Sequence, residues 1–165
     1  MNNFTYSIPT RIHFGRGQIS HLAELAESGK KVLMVYGGGS IKRTGLYGEA
    51  MALLRGAGLE VFELSGVEPN PRIGTVRRGV ELCRAENIDM VLAVGGGRTI
   101  DCAKAVAAGA RYPGDAWELV LDSSLVKNAL PIYSVLTLAA TGSEMDGIAV
   151  ISDFEKNEKL SLKSE

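Results

Sequence analysis

The chain has 165 residues and a formal net charge of −1, with 45% hydrophobic and 22% charged residues. This composition is ordinary for a globular domain in water, and the length suffices for one sizeable core. The balanced charge gives no electrostatic footprint for nucleic acid or an anionic membrane, so we expect neither as a partner. No apolar run approaches the ~20 residues that a membrane-spanning helix needs.

The two cysteines, Cys83 and Cys102, lie in segments with helical periodicity and not in a C-x-x-C pattern. We interpret both as small buried apolar residues, which is the commonest role of a free cysteine. The first residues show no basic segment followed by an apolar run, as a secretory signal would. These observations fit a reduced protein in the cytoplasm.

Apolar periodicity predicts an alternation of strands and helices along the chain. The first segment, Tyr6–Phe14, alternates and predicts a short N-terminal strand pair. The further predicted elements are a helix over 18–28, a strand at KKVLMVY, a helix over 41–55, a strand at GLEVFELSG, a proline-started helix at PNPRIGTVRRGVELCRAEN, a strand at IDMVLAVGGG, a helix at RTIDCAKAVAAGA, a strand at LPIYSVL, and a closing strand pair at GIAVISD and EKLSLKSE.

Strands that alternate with helices of about 10–15 residues indicate an α/β fold. We expect a Rossmann-like domain over residues 1–165, with a mostly parallel sheet and helices on both faces. Short strand pairs are expected at the N-terminal and C-terminal ends.

Three predicted strands are followed by loops rich in glycine and hydroxyl groups: Gly37–Ser40, Gly95–Arg98 and Thr137–Ser143. The carboxyl ends of parallel strands meet at one edge of a sheet, where ligands of this fold class bind. Glycine lets a ligand approach the backbone, and the amides that open the next helix can meet a phosphate. Neither glycine run has the spacing of a dinucleotide fingerprint or of a P-loop. The three loops together predict a nucleotide or phosphate site.

Charged residues near these loops allow more than one interpretation. Asp101 lies in the first turn of a helix, where it is either a carboxylate favoured by the helix N-terminus or a polar contact to the cofactor or its loops. The segment after the first glycine run contains Ser40, Lys42 and Arg43 and no carboxylate. Many dinucleotide sites bind the ribose hydroxyls with a carboxylate, so this segment favours NADP over NAD. The two cations are alternatively solvated charges at the start of a helix.

Four segments together resemble the iron-containing (group III) alcohol dehydrogenase family, and within it the butanol dehydrogenase branch. They are YGGGSIKRTGLYGEA, GVEPNPR, AVGGGRTIDCAKAVAAGA and LTLAATGSEMDGIAVIS, in that order over nearly the whole chain. The resemblance implies the N-terminal NAD(P)-binding domain of this family, with a dehydroquinate synthase-like fold. It also implies that the family's helical, metal-binding C-terminal domain is absent from this chain.

The resemblance implies which residues surround the cofactor, NADP or NAD. It places the adenosine ribose near Gly37, Gly38, Gly39 and Ser40, and the pyrophosphate at Gly95, Gly96 and Gly97, with Asp101 close by. Further along the cleft it places Thr137, Leu138, Thr141, Ser143 and Met145, and at the nicotinamide half Lys159. In the full enzyme the substrates would be short primary alcohols and aldehydes.

Three features depart from the family's pattern. Arg98 stands where the butanol branch usually has serine, and Asp146 stands where an asparagine is common. The family's iron or zinc is held by one aspartate and three histidines, which the resemblance places beyond the end of this chain. We interpret His13 and His21 as ordinary surface or packing residues, because two histidines eight residues apart are a weak metal motif. We therefore expect no catalytic residue, no metal site and no hydride transfer in this chain by itself.

Two other functions stay open from the sequence. The Arg98-Thr99 pair favours a polyol dehydrogenase similar to the glycerol dehydrogenases, on the same scaffold. A non-catalytic nucleotide-binding or assembly module is the other, because an uncovered apolar face tends to self-associate. The family often dimerises through its N-terminal strands, so Tyr6–Phe14 is a candidate surface for a homo-oligomer.

Overall fold

A four-stranded parallel sheet organises the chain, whose residues 9–164 are described by a computed structural model. The strands are β1 (Lys31–Tyr36), β2 (Glu60–Leu64), β3 (Met90–Gly95) and β4 (Ile132–Leu136), in the spatial order β2-β1-β3-β4. All three pairings are parallel, which confirms the predicted sheet. The two outer strands of this sheet are β2 and β4.

Helices cover both faces of the sheet, as predicted. They are α1 (Ser40–Arg43), α2 (Leu46–Gly56), α3 (Ile73–Glu86), α4 (Gly97–Arg111) and α5 (Ala116–Leu121), with 3₁₀ helices at Gln18–Glu27, Ser123–Leu125 and Ser143–Met145. Alternate residues of β1 enter opposite cores. Val32 and Met34 pack with α2 and the first 3₁₀ helix, whereas Leu33 and Val35 pack with α3, α4 and α5. Because both faces are buried, β1 and β3 read as unbroken apolar runs in the sequence.

The chain reverses its direction across the sheet between β1 and β3. It moves outward from β1 to β2, returns past β1 to β3 through α3, and continues outward to β4 through α4. Crossovers between parallel strands are right-handed, so the connection after β1 lies on one face and those after β2 and β3 lie on the other. The two hydrophobic cores agree with this arrangement, because α2 belongs to one core and both α3 and α4 belong to the other.

An antiparallel pair closes the described chain, as predicted. Its strands are β5 (Ile148–Asp153) and β6 (Glu158–Lys163). The buried side chains of Ala149, Ile151 and Leu162 join the core that contains α3, α4 and α5. The pair is therefore packed onto the helix that follows β3.

The predicted N-terminal strand pair is wrong for the residues that the structure describes. The segment 9–14 contains no strand, and Ile12 and Phe14 are 60% and 95% exposed. The alternating pattern has no core face to cover at these two positions. Tyr6 and Ile8, the other half of that prediction, lie outside the described residues.

Two further details differ from the sequence analysis. The helix predicted over 41–55 is divided into α1 and α2, because Gly45 has a φ of 81°, which a continuous right-handed helix excludes. The short helix α5 was missed, although Asp115 caps it by accepting a hydrogen bond from the Trp117 amide at 3.0 Å. Six residues are too few for an apolar period to identify a helix.

The structure also bears on the two cysteines and on the expected absence of a membrane-spanning helix. Cys83 and Cys102 are free and buried, as expected, and burial raises the pKa of both thiols to about 12. Within residues 9–164, no helix combines the length and the apolar character needed to cross a membrane.

Candidate functional site

The candidate site is the crevice between the loops that follow β1 and β3. After β1 the chain enters the loop Gly37–Gly39 and then α1, whereas after β3 it passes Gly96 and enters α4. These two loops leave neighbouring strands toward opposite faces of the sheet, so they diverge and leave a crevice between them. In doubly wound sheets this switch point is where ligands bind. The structure therefore brings the two predicted glycine loops together at the expected place.

The backbone around this crevice is open to a ligand. A Cβ atom built on Gly38 or Gly39 would have no other atom within 4 Å, and one on Gly96 would have only the Leu138 Cβ, at 3.9 Å. Ser40 follows directly, with an exposed side chain. A phosphate or sugar can thus approach the main chain here without displacing a side chain.

The start of α4 offers hydrogen-bond donors to this crevice. The amides of Thr99 and Ile100 already donate to the Gly96 carbonyl, at 2.9 and 3.3 Å. For the amides of Gly97 and Arg98, residues 9–164 provide no acceptor, and no side chain caps the helix. Together with the helix dipole, these amides make the start of α4 suited to an anion.

Arg98 extends across the crevice. Its Nη2 atom lies 3.7 Å from the position that a Cβ on Gly37 would occupy, so the guanidinium reaches from the α4 loop to the end of β1. The side chain is exposed, and no carboxylate in the described part of the chain forms an ion pair with it. The crevice consequently contains a positive charge that has no protein partner among residues 9–164.

The loop after β4 forms one rim of the crevice. The Thr137 amide donates to the Gly95 carbonyl at 3.0 Å, and Leu138 is 66% exposed. The Thr141 hydroxyl lies directly against Gly97, where any Cβ would overlap it. The predicted set Thr137, Leu138 and Thr141 is therefore assembled beside the start of α4.

Two other predicted residues, Asp101 and Ser143, are bound to each other. The Ser143 hydroxyl donates to Asp101 Oδ1 at 2.6 Å, and the Val150 amide donates to Asp101 Oδ2 at 3.2 Å. Ser143 is only 3% exposed. These contacts join α4 to the loop after β4 and to β5, so both side chains hold protein elements together.

Lys104, one turn after Asp101 on α4, completes this polar network. Its Nζ donates to Ser143 Oγ at 3.1 Å, to Asp146 Oδ1 at 2.9 Å and to the Ile148 carbonyl at 2.8 Å. The Lys104 side chain is 13% exposed and that of Asp146 is 40% exposed. Burial opposes ionisation of Asp146, but the Lys104 ammonium and the Ile148 amide together hold the pKa of this carboxyl below its usual value.

Met145 and Lys159, the remaining predicted residues, lie in segments of the chain that follow the rim loop. Met145 ends the short 3₁₀ helix, and its amide donates to the Gly142 carbonyl at 2.8 Å. The Lys159 ammonium, on β6, donates to Asn70 Oδ1 at 3.0 Å, in the loop between β2 and α3. Asn70 was not among the predicted site residues, although the prolines on both sides of it indicate a rigid loop at a strand end.

Glu63 is a further residue that the sequence analysis missed. It lies near the carboxyl end of β2 and accepts hydrogen bonds from the hydroxyls of Tyr36, at 2.6 Å, and Tyr47, at 3.0 Å. The Lys42 ammonium lies over the same two rings, 5.3 and 4.7 Å from their centroids. Burial and the bond to Glu63 raise the pKa of Tyr36 to about 12, so its phenol stays a donor. A carboxylate thus occurs at the end of β2, although residues 39–43, after β1, contain none.

The described residues of the crevice do not fit a resident metal ion. The three loops contain no histidine. Two carboxylates beside the rim loop, those of Asp101 and Asp146, already accept hydrogen bonds from Ser143, Lys104 and backbone amides. A nucleotide phosphate fits better, because the free amides and Arg98 are donors and cations.

Comparison with known proteins identifies the family to which this arrangement belongs. The sequence profile described as "Iron-containing alcohol dehydrogenase" matches residues 9–165. The chain belongs to the iron-containing alcohol dehydrogenase family.

Individual members of the iron-containing alcohol dehydrogenases agree with this assignment. The NADH-dependent butanol dehydrogenase A of Clostridium acetobutylicum is 56% identical over 163 residues, which cover 98% of this chain and 42% of that protein. An NADPH-dependent aldehyde reductase of Escherichia coli is 42% identical, over 99% of this chain and 43% of that protein. The crystal structure of an NADH-dependent butanol dehydrogenase A from Thermotoga maritima has a TM-score of 0.96 at 46% identity, and covers 100% of this chain and 42% of that one. This chain spans about two fifths of the length of these relatives.

The structure shows a role for Asp146. Its carboxylate is the ion-pair partner of Lys104, with Nζ and Oδ1 2.9 Å apart. A carboxylate in this place neutralises a lysine that is largely removed from water, which an amide would not do.

We expect Lys104→Met to destabilise the protein by about 1–2 kcal/mol at pH 7, because the Ser143 hydroxyl, the Asp146 carboxylate and the Ile148 carbonyl lose the ammonium that donates to them. Urea unfolding measures this difference, and Lys127→Met, at an exposed lysine, is the control. The folded-state pKa of Asp146 is lowered, so its stabilising contribution is present above the unfolded value near 4 and is lost as the pH falls through the folded value. The difference in the free energy of unfolding between the wild type and Lys104→Met should therefore become smaller below about pH 4. A difference of the same size at pH 3 and pH 7 would contradict this account.

Proposed function

We propose that the crevice binds a nicotinamide dinucleotide, and that residues 1–165 are the nucleotide-binding part of a metal-dependent alcohol dehydrogenase. The full enzyme would transfer hydride between short primary alcohols or aldehydes and this cofactor, as in the butanol dehydrogenases. The observation that carries the proposal is the placement of both glycine loops at the switch point of the sheet, with free amides and Arg98 between them.

Within this proposal the predicted residues take two different roles. The pyrophosphate binds at the Gly97 and Arg98 amides, and the adenosine ribose lies along Gly37–Ser40, where the backbone is open. Thr137, Leu138 and Thr141 line the path toward the nicotinamide, with Met145 and Lys159 beyond them. Asp101 and Ser143 act as positioning residues, because their side chains bind each other and fix the rim loop on α4.

We propose that this chain by itself does not transfer hydride. In the family a metal ion polarises the alcohol oxygen and lowers its pKa, and the crevice residues described here do not fit such an ion. The test is to mix the purified chain with NADH or NADPH and butyraldehyde, with and without ferrous ion or zinc, and to follow the absorbance of the reduced cofactor. Metal-dependent oxidation of the cofactor at an enzyme-like rate would refute this.

Calorimetric titration with ADP-ribose tests nucleotide binding directly, because this molecule carries the adenosine and the pyrophosphate of both cofactors. We expect saturable binding by the wild-type chain. We further expect Arg98→Ser to weaken it about tenfold, since one charge-assisted contact to phosphate is lost. Arg98→Lys should recover part of the affinity, and Arg55→Ser, an exposed arginine near the end of α2, should have no effect.

Binding of ADP-ribose and the dependence of this binding on Arg98 can fail independently of each other. Absence of ADP-ribose binding by the wild-type chain would contradict the proposed site. Binding that Arg98→Ser leaves unchanged would preserve the site but contradict the role of Arg98. Adenosine, which has no phosphate, serves as the ligand control because its affinity should not depend on Arg98.

For the choice between the two cofactors, we propose NAD as the preferred nucleotide. The expectation of NADP depended on the absence of a carboxylate from 39–43, but Glu63 brings one to the end of β2, beside Tyr36. A carboxylate in this position favours ribose hydroxyls and repels a 2′-phosphate. Lys42 is in contact with the rings of Tyr36 and Tyr47 and so is partly engaged. The relative that is 56% identical is named as NADH-dependent, whereas the one at 42% is named as NADPH-dependent.

We therefore expect NAD to bind more tightly than NADP, and Glu63→Gln to shift the ratio of their dissociation constants toward NADP by roughly fivefold. Glutamine keeps the size of the side chain and its acceptor oxygen, so the tyrosine contacts can persist. Glu60→Gln is the control, because Glu60 belongs to the same strand but lies at its other end, in an exposed pair with Lys31. An unchanged ratio in Glu63→Gln would show that this carboxylate does not face the ribose.

A further inference from the structure

A cluster of two histidines and a glutamate lies outside the crevice, at the N-terminal side of the described chain. His13 belongs to the irregular segment before the first 3₁₀ helix, whereas His21 and Glu24 lie three residues apart on that helix. The two imidazole rings are stacked, with centroids 3.7 Å apart and an angle of 24° between their planes. His21 Nδ1 and Glu24 Oε1 are 2.5 Å apart. The sequence separation of His13 and His21 had given no reason to bring these groups together.

The chemistry of this cluster is that of a transition-metal site. Each residue offers one ligand atom, and the three atoms lie within 4.8 Å of one another. Two imidazole nitrogens and one carboxylate oxygen suit zinc and its neighbours, whereas magnesium and calcium prefer ligand sets made of oxygen alone. His13 and Glu24 are exposed, which leaves room for water to complete a tetrahedral shell.

We propose that His13, His21 and Glu24 form a binding site for a divalent transition metal of the zinc class. The bound ion fastens the segment before the first 3₁₀ helix onto that helix, because His13 comes from the first and the other two ligands from the second. This site is separate from the crevice and from any metal that the family uses in catalysis, and it does not depend on the proposed function.

Because the chain has two histidines and both lie in the cluster, the proposal can be tested directly. His13 and His21 are the only histidines of the chain, and the described structure shows both cysteines buried, with thiol pKa values raised to about 12. Metal binding that depends on imidazole must therefore come from this cluster, provided that the protein carries no histidine tag. Calorimetric titration of the whole chain with zinc chloride should give one bound ion per chain, and magnesium chloride should give none.

Variants of the cluster decide between this site and weak binding elsewhere. We expect His13→Ala, His21→Ala and Glu24→Gln each to weaken zinc binding by about tenfold or more, since each removes one of three ligands. The control is Glu27→Gln, which changes an exposed glutamate of the same helix that is not in the cluster and should leave the affinity within about twofold. Failure of the wild-type chain to bind zinc at micromolar concentration, or unchanged binding in His13→Ala, would overturn the proposal.

A second measurement tests whether the bound metal fastens the segment that contains His13 onto the first 3₁₀ helix. Arg11 and Arg16 flank His13 and are exposed, so trypsin can cleave on either side of it. Zinc should slow cleavage at these two arginines in the wild-type chain and should have no effect on it in His13→Ala. Equal slowing in both proteins would mean that zinc acts on the protease or on another part of the chain, and would contradict the proposed fastening. Circular dichroism of each variant checks that the fold is intact.

Discussion

The reversal of chain direction between β1 and β3 is the constraint on which the rest of this structure depends. Right-handed crossovers require that the segments after these two strands leave toward opposite faces of the sheet. Their first residues must therefore separate, and the edge of the sheet is left open between them. Glycines there keep the main chain accessible, and Arg98 supplies a charge that the described residues do not neutralise. The chemistry of the crevice follows from strand order before any individual side chain is considered.

The second organising feature is the polar network around Lys104, which fixes the rim loop on α4. One ammonium donates to a hydroxyl, a carboxylate and a carbonyl that all lie within residues 143–148. Removing such a lysine from water is costly unless all of its protons are used, and here three acceptors meet it. Thr141 is held against Gly97 by the same loop, so the shape of the crevice is linked to the stability of this network.

Much of the fold could be predicted from the sequence, because strands that are buried on both faces are continuous apolar runs. The ends of these strands then predict that the glycine loops lie together at one edge of the sheet. The hydrogen bonds between side chains were harder to predict from the sequence. Asp101 and Ser143 were expected at the cofactor, but the spacing of residues 42 positions apart cannot show that they bond to each other. Glu63 was overlooked because only the strand order reveals that β2 lies beside β1. The N-terminal strand pair failed in its described part because alternation predicts a strand only where a partner and a core face exist.

The two outer strands of the sheet differ in a way that affects how the protein meets other molecules. The sequence of β2, EVFEL, carries Glu60 and Glu63, which project on alternate sides, whereas that of β4, IYSVL, has no charge. Charged residues on an edge strand discourage another strand from pairing with its free amides and carbonyls, and an uncharged edge does not. As far as residues 9–164 are concerned, the sheet is thus protected at the β2 edge and open to strand addition at the β4 edge. A strand added to it, from this polypeptide or from a neighbour, would extend it beyond β4, adjacent to the loop that forms the rim of the nucleotide crevice.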